Sequence, residues 1–447
     1  MSFSSDPLGH LSDLVNKAKS IGADAADAIY VEGISVSTAC RKGEPESLAR
    51  SEGYDLGLRV FIGKRQAIVS SSDLSNTALD DLVTRAVAMA KVVPEDPYCG
   101  LAPSELLATQ IPDLDDCDPV EPSGDKLEQL TREAEEAALD IKGVTNSEGA
   151  EAGWGRSSLA VAGTNGFAQQ RESSGHSLSV SVVAGEGTEM ERDYDFSTAV
   201  YGEDLQDARE LGKNAAKKAV ARLNPRKVKT AQVPVIFDPR VSSSLVGHLA
   251  SAVNGSSVAR GTTFLREKMG EKLFANGVNI IDDPLRKRGL RSKGFDAEGV
   301  ATQTRHIIED GTLQTWIMDM RSARQLGLET TGSASRGTSS PPSPSTTNLY
   351  MDAGTVSRDD LIKNVKSGFY ITELIGMGVN GITGDYSRGA GGFWIENGEI
   401  TFPVNEVTIA GSLLDIFRNL TPADDLVFRF GTNAPTVRVD GLTVAGI

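Results

Sequence analysis

Apolar positions recur at helical spacing in several stretches and alternate in others, and the two periods divide the chain into elements. Leu8, Leu11, Leu14, Val15 and Ala18 lie on one stripe, which predicts a first helix ending near Gly22. Ala28 to Ala39 reads as a strand. Tyr54, Leu56, Leu58, Val60 and Ile62 alternate with other residues, and Gly63-Lys64 turns the chain into a further strand, Gln66 to Ser70. Leu79, Leu82, Val83, Ala86, Val87 and Ala90 predict a helix after the cap candidates Ser75 and Asn76. Residues 93–125 are rich in Pro and Asp and read as a long excursion within a first domain. A helix on Leu127, Leu130, Ala134, Ala137 and Ile141 precedes strand signals between Val144 and Val183, with a tight turn at Thr164-Asn165-Gly166. The stripe Leu205, Ala208, Leu211, Ala215 and Ala219 closes this part with a helix.

Asn224 to Thr230 (NPRKVKT) predicts a boundary, giving domains at 1–224 and 231–447. Past it the chain turns strand-rich. Asp310-Gly311 and Asn397-Gly398, each between apolar runs, are strong two-residue hairpin signals. Strands are expected at Thr302–Glu309, Thr312–Met318, Phe393–Glu396, Glu399–Phe402, Phe428–Phe430 and Thr436–Val444. Short helices are expected near Asp359–Val365 and at Ser412–Leu420. The expected fold class is α+β: N-terminal helices packed on an antiparallel sheet, then a mostly β C-terminal domain, either sandwich or open barrel. Gly332 to Asn348 (GSASRGTSSPPSPSTTN) reads by composition as a mobile surface loop, or as a lid over a groove.

The stretch from Val233 to Leu265 carries the most chemical information. Val235, Ile236 and Phe237 form a buried strand ended by Asp238-Pro239. Leu245, Leu249, Ala252 and Val253 then mark a helix, with Asn254-Gly255 as its C-cap signal. His248 lies on that helix. A strand feeding a His-bearing helix is where a zinc peptidase places H-E-x-x-H-type ligands. Between Pro239 and Ala259 there is no Asp, no Glu and no second His, so the frame is present without the ligands.

Other candidates are weaker. Gly376-Met377-Gly378-Val379-Asn380-Gly381 matches G-x-G-x-x-G, but ITGDYSRGAGG follows it where a dinucleotide site needs a helix. Such dense glycine suits close backbone approach, in a tight β corner or a peptide groove. Ser242-Ser243-Ser244 before His248 lacks a nucleophile elbow, and a set of His248, His306, Asp238 and Glu309 has no diagnostic metal spacing.

Length and composition narrow the class. At 447 residues the chain exceeds one ordinary core, and 39% hydrophobic with 24% charged residues fits a globular protein. A net charge of −16 argues against nucleic acid as a partner. Arg286-Lys287-Arg288, with Arg291 and Lys293, is the best basic patch and reads as a solvated loop. Cys40, Cys99 and Cys117 are scattered and indicate neither a disulfide framework nor a zinc ribbon. The opening MSFSSDPLGHLSDL lacks the features of a signal peptide, and no stretch has the length of a membrane helix; a cytoplasmic protein is expected.

The chain resembles the TldD/PmbA family, in particular its PmbA (TldE) branch, along nearly its whole length. The resemblance is carried by Pro94-Glu95-Asp96-Pro97-Tyr98 with Gly100-Leu101, Pro112-Asp113-Leu114, Pro234-Val235 and Asp238-Pro239. It continues in Thr346-Thr347-Asn348-Leu349-Tyr350 with Gly354, Tyr370-Ile371-Thr372-Glu373 and Gly384-Asp385-Tyr386-Ser387-Arg388-Gly389. The Trp394–Glu399 hairpin and the ending Gly441–Gly446 complete it. The resemblance implies a subunit of a heterodimeric zinc metalloprotease, active in peptide-antibiotic maturation and in degradation of an unstructured antitoxin. In it a TldD-like partner supplies an HExxxH motif and a Cys ligand, and a PmbA chain completes the chamber. On that reading this chain has no catalytic residue, metal ligand or cofactor of its own, and zinc belongs to the partner. Its expected partners are the TldD-like subunit, unfolded peptides and, when alone, a second copy of itself. Gly376, Gly378, Gly384, Asp385, Tyr386, Arg388 and Gly389 are the expected substrate groove, and His248 is a residual helix histidine. An autonomous hydrolase around His248 or His306, and a regulator acting on DNA gyrase, remain the alternatives.

Overall fold

The computed structural model describes residues 5–447; residues 1–4, part of the opening read for a signal peptide, lie outside it. The first helix, α1 (Pro7–Ser20), starts at Asp6, whose carboxylate accepts from the Gly9 amide, with Pro7 where a missing N–H costs nothing. A long meander follows: β1 (Ala25–Arg41), β2 (Glu44–Ile62) and β3 (Arg65–Ser71). Then come α2 (Asn76–Val92), α3 (Gly124–Leu139), β4 (Val144–Gly163), β5 (Ala168–Ala184), β6 (Glu191–Ala199) and α4 (Ala208–Ala221). Among the described residues these strands form one antiparallel six-stranded sheet, ordered β3-β2-β1-β4-β5-β6.

The period of two decides which face the helices cover. Ala26, Ala28 and Tyr30 of β1, with Ala160 and Ala162 of β4, pack under α1 and α2. Val36, Ala150, Ala152 and Trp154, in the same phase, pack under α3 and α4. The opposite phase, Ile29 and Val161, meets Phe167, Ala108 and Phe295 and faces the rest of the chain. The expected class, helices on one side of an antiparallel sheet, is the observed one.

The C-terminal half opens with β7 (Ala231–Phe237), α5 (Pro239–Ala252) and α6 (Gly255–Arg260). It continues through β8 (Ile280–Asp282), β9 (Arg305–Glu309), β10 (Thr312–Leu313), α7 (Met320–Leu326), the pair β11 (Ala334–Ser335) and β12 (Ser343–Pro344), β13 (Leu349–Met351) and α8 (Arg358–Lys363). The last elements are β14 (Ser367–Ile375), β15 (Asp385–Glu396), β16 (Glu399–Ser412), α9 (Leu413–Asn419), β17 (Leu420–Pro422), β18 (Thr432–Asn433) and β19 (Val437–Ala445). The main sheet runs β16-β15-β14-β7-β19-β17, and β16 also pairs with β19 through Thr408–Ala410 and Thr443–Ala445. That extra pairing closes β16, β15, β14, β7 and β19 into a ring, with β17 as a short flap on β19, so neither a sandwich nor an open barrel describes it. The largest core, including Phe237, Leu249, Phe369, Ile409 and Phe417, lies in this half.

Several local expectations are corrected. Asn254-Gly255 is no C-cap: Asn254 caps α6, accepting from the amides of Ser256 and Ser257. Gly255 is needed because a Cβ there would lie 2.8 Å from the Ile317 carbonyl oxygen. Phe428–Phe430 forms no strand, and beyond Leu313 the chain leaves the ladder. The excursion at 93–125 does not stay within the N-terminal half. Ala108 donates to the Gly299 carbonyl at 2.9 Å, Ala301 donates to Leu106 at 3.1 Å, and Arg324 holds the carbonyls of Tyr98, Gly100 and Leu101. Its prolines keep the backbone out of regular structure, which frees carbonyls for that use. Nor is 332–348 mobile by its contacts. Arg336 is buried against the N-terminal sheet, and the Thr338 hydroxyl donates to Asp55.

Candidate functional site

β7 runs parallel to β14 and delivers the chain into α5 at the top of the closed sheet. Asp238 fixes that entry: its carboxylate accepts from the Arg240 amide at 3.0 Å and from the Tyr370 hydroxyl at 2.6 Å. One helical face then buries Leu245, Val246 and Leu249 and leaves His248 half-buried beside β15. Tyr386 and Arg388 are two apart on β15, so both turn the same way. The His248 ring meets the Tyr386 ring edge-on, with centroids 5.9 Å apart. Nε2 of His248, the Tyr386 hydroxyl and Nε of Arg388 are all buried, and among the described residues none has a hydrogen-bond partner.

This arrangement has a definite electrostatic character. Burial, and then the Arg388 charge, push the His248 imidazole down to about 4, so it is neutral at ordinary pH. Burial pushes the Tyr386 phenol well up, so it stays a donor. Two donors and a neutral imidazole suit an acceptor-rich neutral group such as a peptide carbonyl. They do not suit zinc. Among the described residues no cluster of carboxylates, thiols or a second imidazole joins His248, and a guanidinium beside it repels a dication. Among the described residues no three His, Cys, Asp or Glu side chains cluster to hold a metal. His306 and Glu309 are exposed on β9, and Asp238 is engaged with Tyr370, so that set is not assembled.

The glycine stretch connects β14 to β15 and folds back on β15. The Gly378 carbonyl accepts from the Ser387 amide at 2.7 Å, Asn380 donates to Asp385 at 2.9 Å, and Gly384 donates to Asn380 at 2.8 Å. A Cβ on Gly378 would lie 1.9 Å from the Ser387 carbonyl oxygen, so glycine there serves close approach. Gly384, at φ +81°, packs on Phe264, whereas Gly376, at φ +79°, faces open space. Gly389 sits opposite Ile375 in the β14–β15 ladder. Asp385 is exposed and accepts from the Thr383 hydroxyl at 2.6 Å. The tip presents apolar side chains to solvent: Met377 is 91% exposed, Ile382 62% and Ile375 57%.

A second polar cluster escaped sequence reasoning. Asp27 on β1 faces Arg59 on β2 in register, and Arg336 reaches the same carboxylate from 332–348 at 2.8 Å. The charge of Glu298 acts on both Arg59 and Arg336, and Asp296 and Asp319 act in turn on Glu298. The available signal was an Asp inside the apolar run Ala26–Tyr30; nothing local identifies its partners.

Comparison with known proteins decides the family. Residues 26–90 match PmbA/TldA metallopeptidase domain 1, 117–223 the central domain and 230–446 the C-terminal domain. The chain belongs to the TldD/PmbA family. Within it the likeness is to the PmbA (TldE) branch. Metalloprotease PmbA of Escherichia coli O157:H7 is 40% identical over 96% of this chain and 93% of its own length. Haemophilus influenzae has both a PmbA homologue, 37% identical over 98% of this chain and 95% of its own, and a TldD homologue, 28% identical over 60% and 61%. Among solved structures, a candidate modulator of DNA gyrase from Bacteroides thetaiotaomicron superposes with a TM-score of 0.91 at 25% identity, covering 98% of this chain and 99% of that one.

Proposed function

We propose that this chain is the non-catalytic PmbA-type subunit of a two-chain zinc metallopeptidase that cuts unfolded peptides in the cytoplasm. The observation that carries the reading is the surroundings of His248. The helix has the frame for a metal-binding face, yet its one imidazole is neutral, half-buried and backed by Arg388. The catalytic metal then belongs to a TldD-like chain, and the coexistence of both kinds of chain in Haemophilus influenzae supports such a pairing. The exposed Met377 and Ile382 suit a surface that meets another chain or an extended peptide.

The test takes the purified chain, a TldD-like chain from the same organism, and the two mixed. Expected are no stoichiometric zinc on this chain, no cleavage of an unstructured peptide by it alone, and cleavage on mixing. In the mixture His248→Ala keeps activity within a few-fold. One tightly held zinc per chain, or cleavage by this chain alone that His248→Ala abolishes, would make it an autonomous hydrolase and overturn the reading.

A further inference from the structure

Between the two halves lies a cavity of about 360 Å³, walled by β5 on one side and by residues 289–293 and 335–347 on the other. It includes part of the basic stretch that the sequence suggests is a solvated loop. Lys293 is instead tucked in, with its ammonium on the Ala334 carbonyl at 3.1 Å. Arg171 enters from β5, making only a 3.4 Å contact to the Ser292 carbonyl, while its Nε is buried with no partner among the described residues. Arg291 stands at the exposed margin.

Among the side chains that line this cavity, cations outnumber carboxylates. The carboxylate lining it is Asp116, against Arg171, Lys293 and Arg291. Asp282 and Asp296 lie behind Lys293 and offset its charge, while their oxygens accept from Thr347 and from the amides of Ala334, Glu298 and Val300, which leaves Asp116 as the carboxylate facing Arg171. Burial holds Arg171 and Lys293 below their ordinary range, and the Arg171 charge adds to the effect on Lys293. A guanidinium cannot discharge by losing its proton, so an under-paired buried one is costly unless an anion joins it. Unengaged hydroxyls complete the lining: those of Ser173, Ser335 and Thr346 make no hydrogen bond among the described residues. Cations converging with free hydroxyls suit a small oxyanion, gripped by the guanidinium fork and finished by hydroxyl donors.

We propose that this cavity is a binding site for an oxyanion group, a phosphate or the carboxylate end of a peptide, held by Arg171 and Lys293. It is independent of the reading given to His248 and stands or falls on its own measurement. The test is calorimetric titration of the full chain, in buffer free of sulfate and phosphate, with inorganic phosphate, with N-acetylglycine and with its uncharged amide. Binding of phosphate alone assigns a phosphate site. Binding of N-acetylglycine but not the amide assigns a carboxylate site. In either case Arg171→Met and Lys293→Met each weaken binding by roughly tenfold or more, the weight of one charge-assisted pair. Without anion, Arg171→Met is expected to melt no lower than wild type, because it removes an under-paired buried charge. If Arg171→Met does not fold, Arg171→Lys and Lys293→Met carry the test by the same criterion. No binding of either anion at tens of millimolar, equal binding of the amide, or unchanged affinity in the folded variants overturns the proposal.

Discussion

Asp27→Asn is the perturbation that should cost this protein most for the smallest change in shape. The Asp27 carboxylate serves two guanidiniums, and the side chains of Arg59, Asp27 and Arg336 are 4%, 6% and 2% exposed. Burial would raise its pKa, but Arg336 and Arg59 together hold the carboxyl below the usual range. Removing its charge leaves two cations facing each other out of water. Breaking a buried pair from one side costs about 3–5 kcal/mol, because the survivor is stranded. Arg336→Met is a different experiment. It leaves the Asp27–Arg59 pair intact and removes a guanidinium whose Nε and Nη2 have no partner among the described residues. That variant should lose about 1 kcal/mol or less, since neutralising one ion while keeping a matched pair is nearly neutral. The double variant should then be more stable than Asp27→Asn alone, so that its loss falls short even of the larger single loss and not merely of the sum of the two. Urea unfolding of the three variants reads these differences. For a cooperative unit near half the chain, the Asp27→Asn loss corresponds to a melting shift on the order of 10 °C. The reasoning is refuted if Arg336→Met costs as much as Asp27→Asn, or if the two effects simply add.

Further outcomes follow from neighbouring groups. Burial first, then Asp296, push Glu298 up to about 8 against the pull of Arg59. The unfolded chain releases that proton in the ordinary Glu range while the folded protein keeps it. Stability from this group is therefore lost progressively as pH rises from about 5 to 8. Glu298→Gln, which keeps an acceptor for the Met320 amide, should flatten that slope in denaturation series at several pH values. Gly378→Ala should cost about 1–3 kcal/mol, through a Cβ driven into the Ser387 carbonyl, while Gly381→Ala, with open space around it, should be neutral in the same melting assay. Met377→Asp should leave the melting temperature unchanged and weaken co-purification with a TldD-like chain; normal pairing would remove the hairpin tip from the interface.

What the sequence made legible was local. The Asp310-Gly311 and Asn397-Gly398 turns adopt the positive φ that their residues invite, 44° and 78° in one and 52° and 85° in the other. The strand before Asp238-Pro239 and the helix after it needed only a short window to be read. The outer half of β2, Glu44 to Gly53, was not legible because its side chains are exposed on both faces, so no alternation marks it and only pairing with β1 makes it a strand. The polar trio was partly legible: its glycine-rich flank stood out, but the approach of His248 to Tyr386 depends on α5 packing against β14, beside which β15 lies, and no spacing records that. Arg336 was hidden by its neighbours. Ser, Pro and Gly around it describe a segment without its own core, and composition cannot say that another sheet supplies one.

The two segments that composition marks as loose, 93–125 and 332–348, help to join the halves, beside ion pairs such as Arg240 with Asp193 and Arg222 with Glu373. Each has little regular structure and so has backbone groups and side chains to spend across the seam: carbonyls for Arg324 in the first, a guanidinium for Asp27 in the second. A hydrophobic seam alone would tolerate sliding, because apolar contact has no direction. An ion cluster does not, since a shift of an ångström or two strands a charge, and Asp27 has a register-fixed partner in Arg59 to hold it in place. The cavity lined by Arg171 and Lys293 lies on the same seam, so an anion bound there would add a further tie between the halves. For a subunit whose proposed task is to present a wall and a groove to a catalytic partner, fixing one half against the other is the main physical requirement. The buried charges are expensive as stability, but they set that orientation.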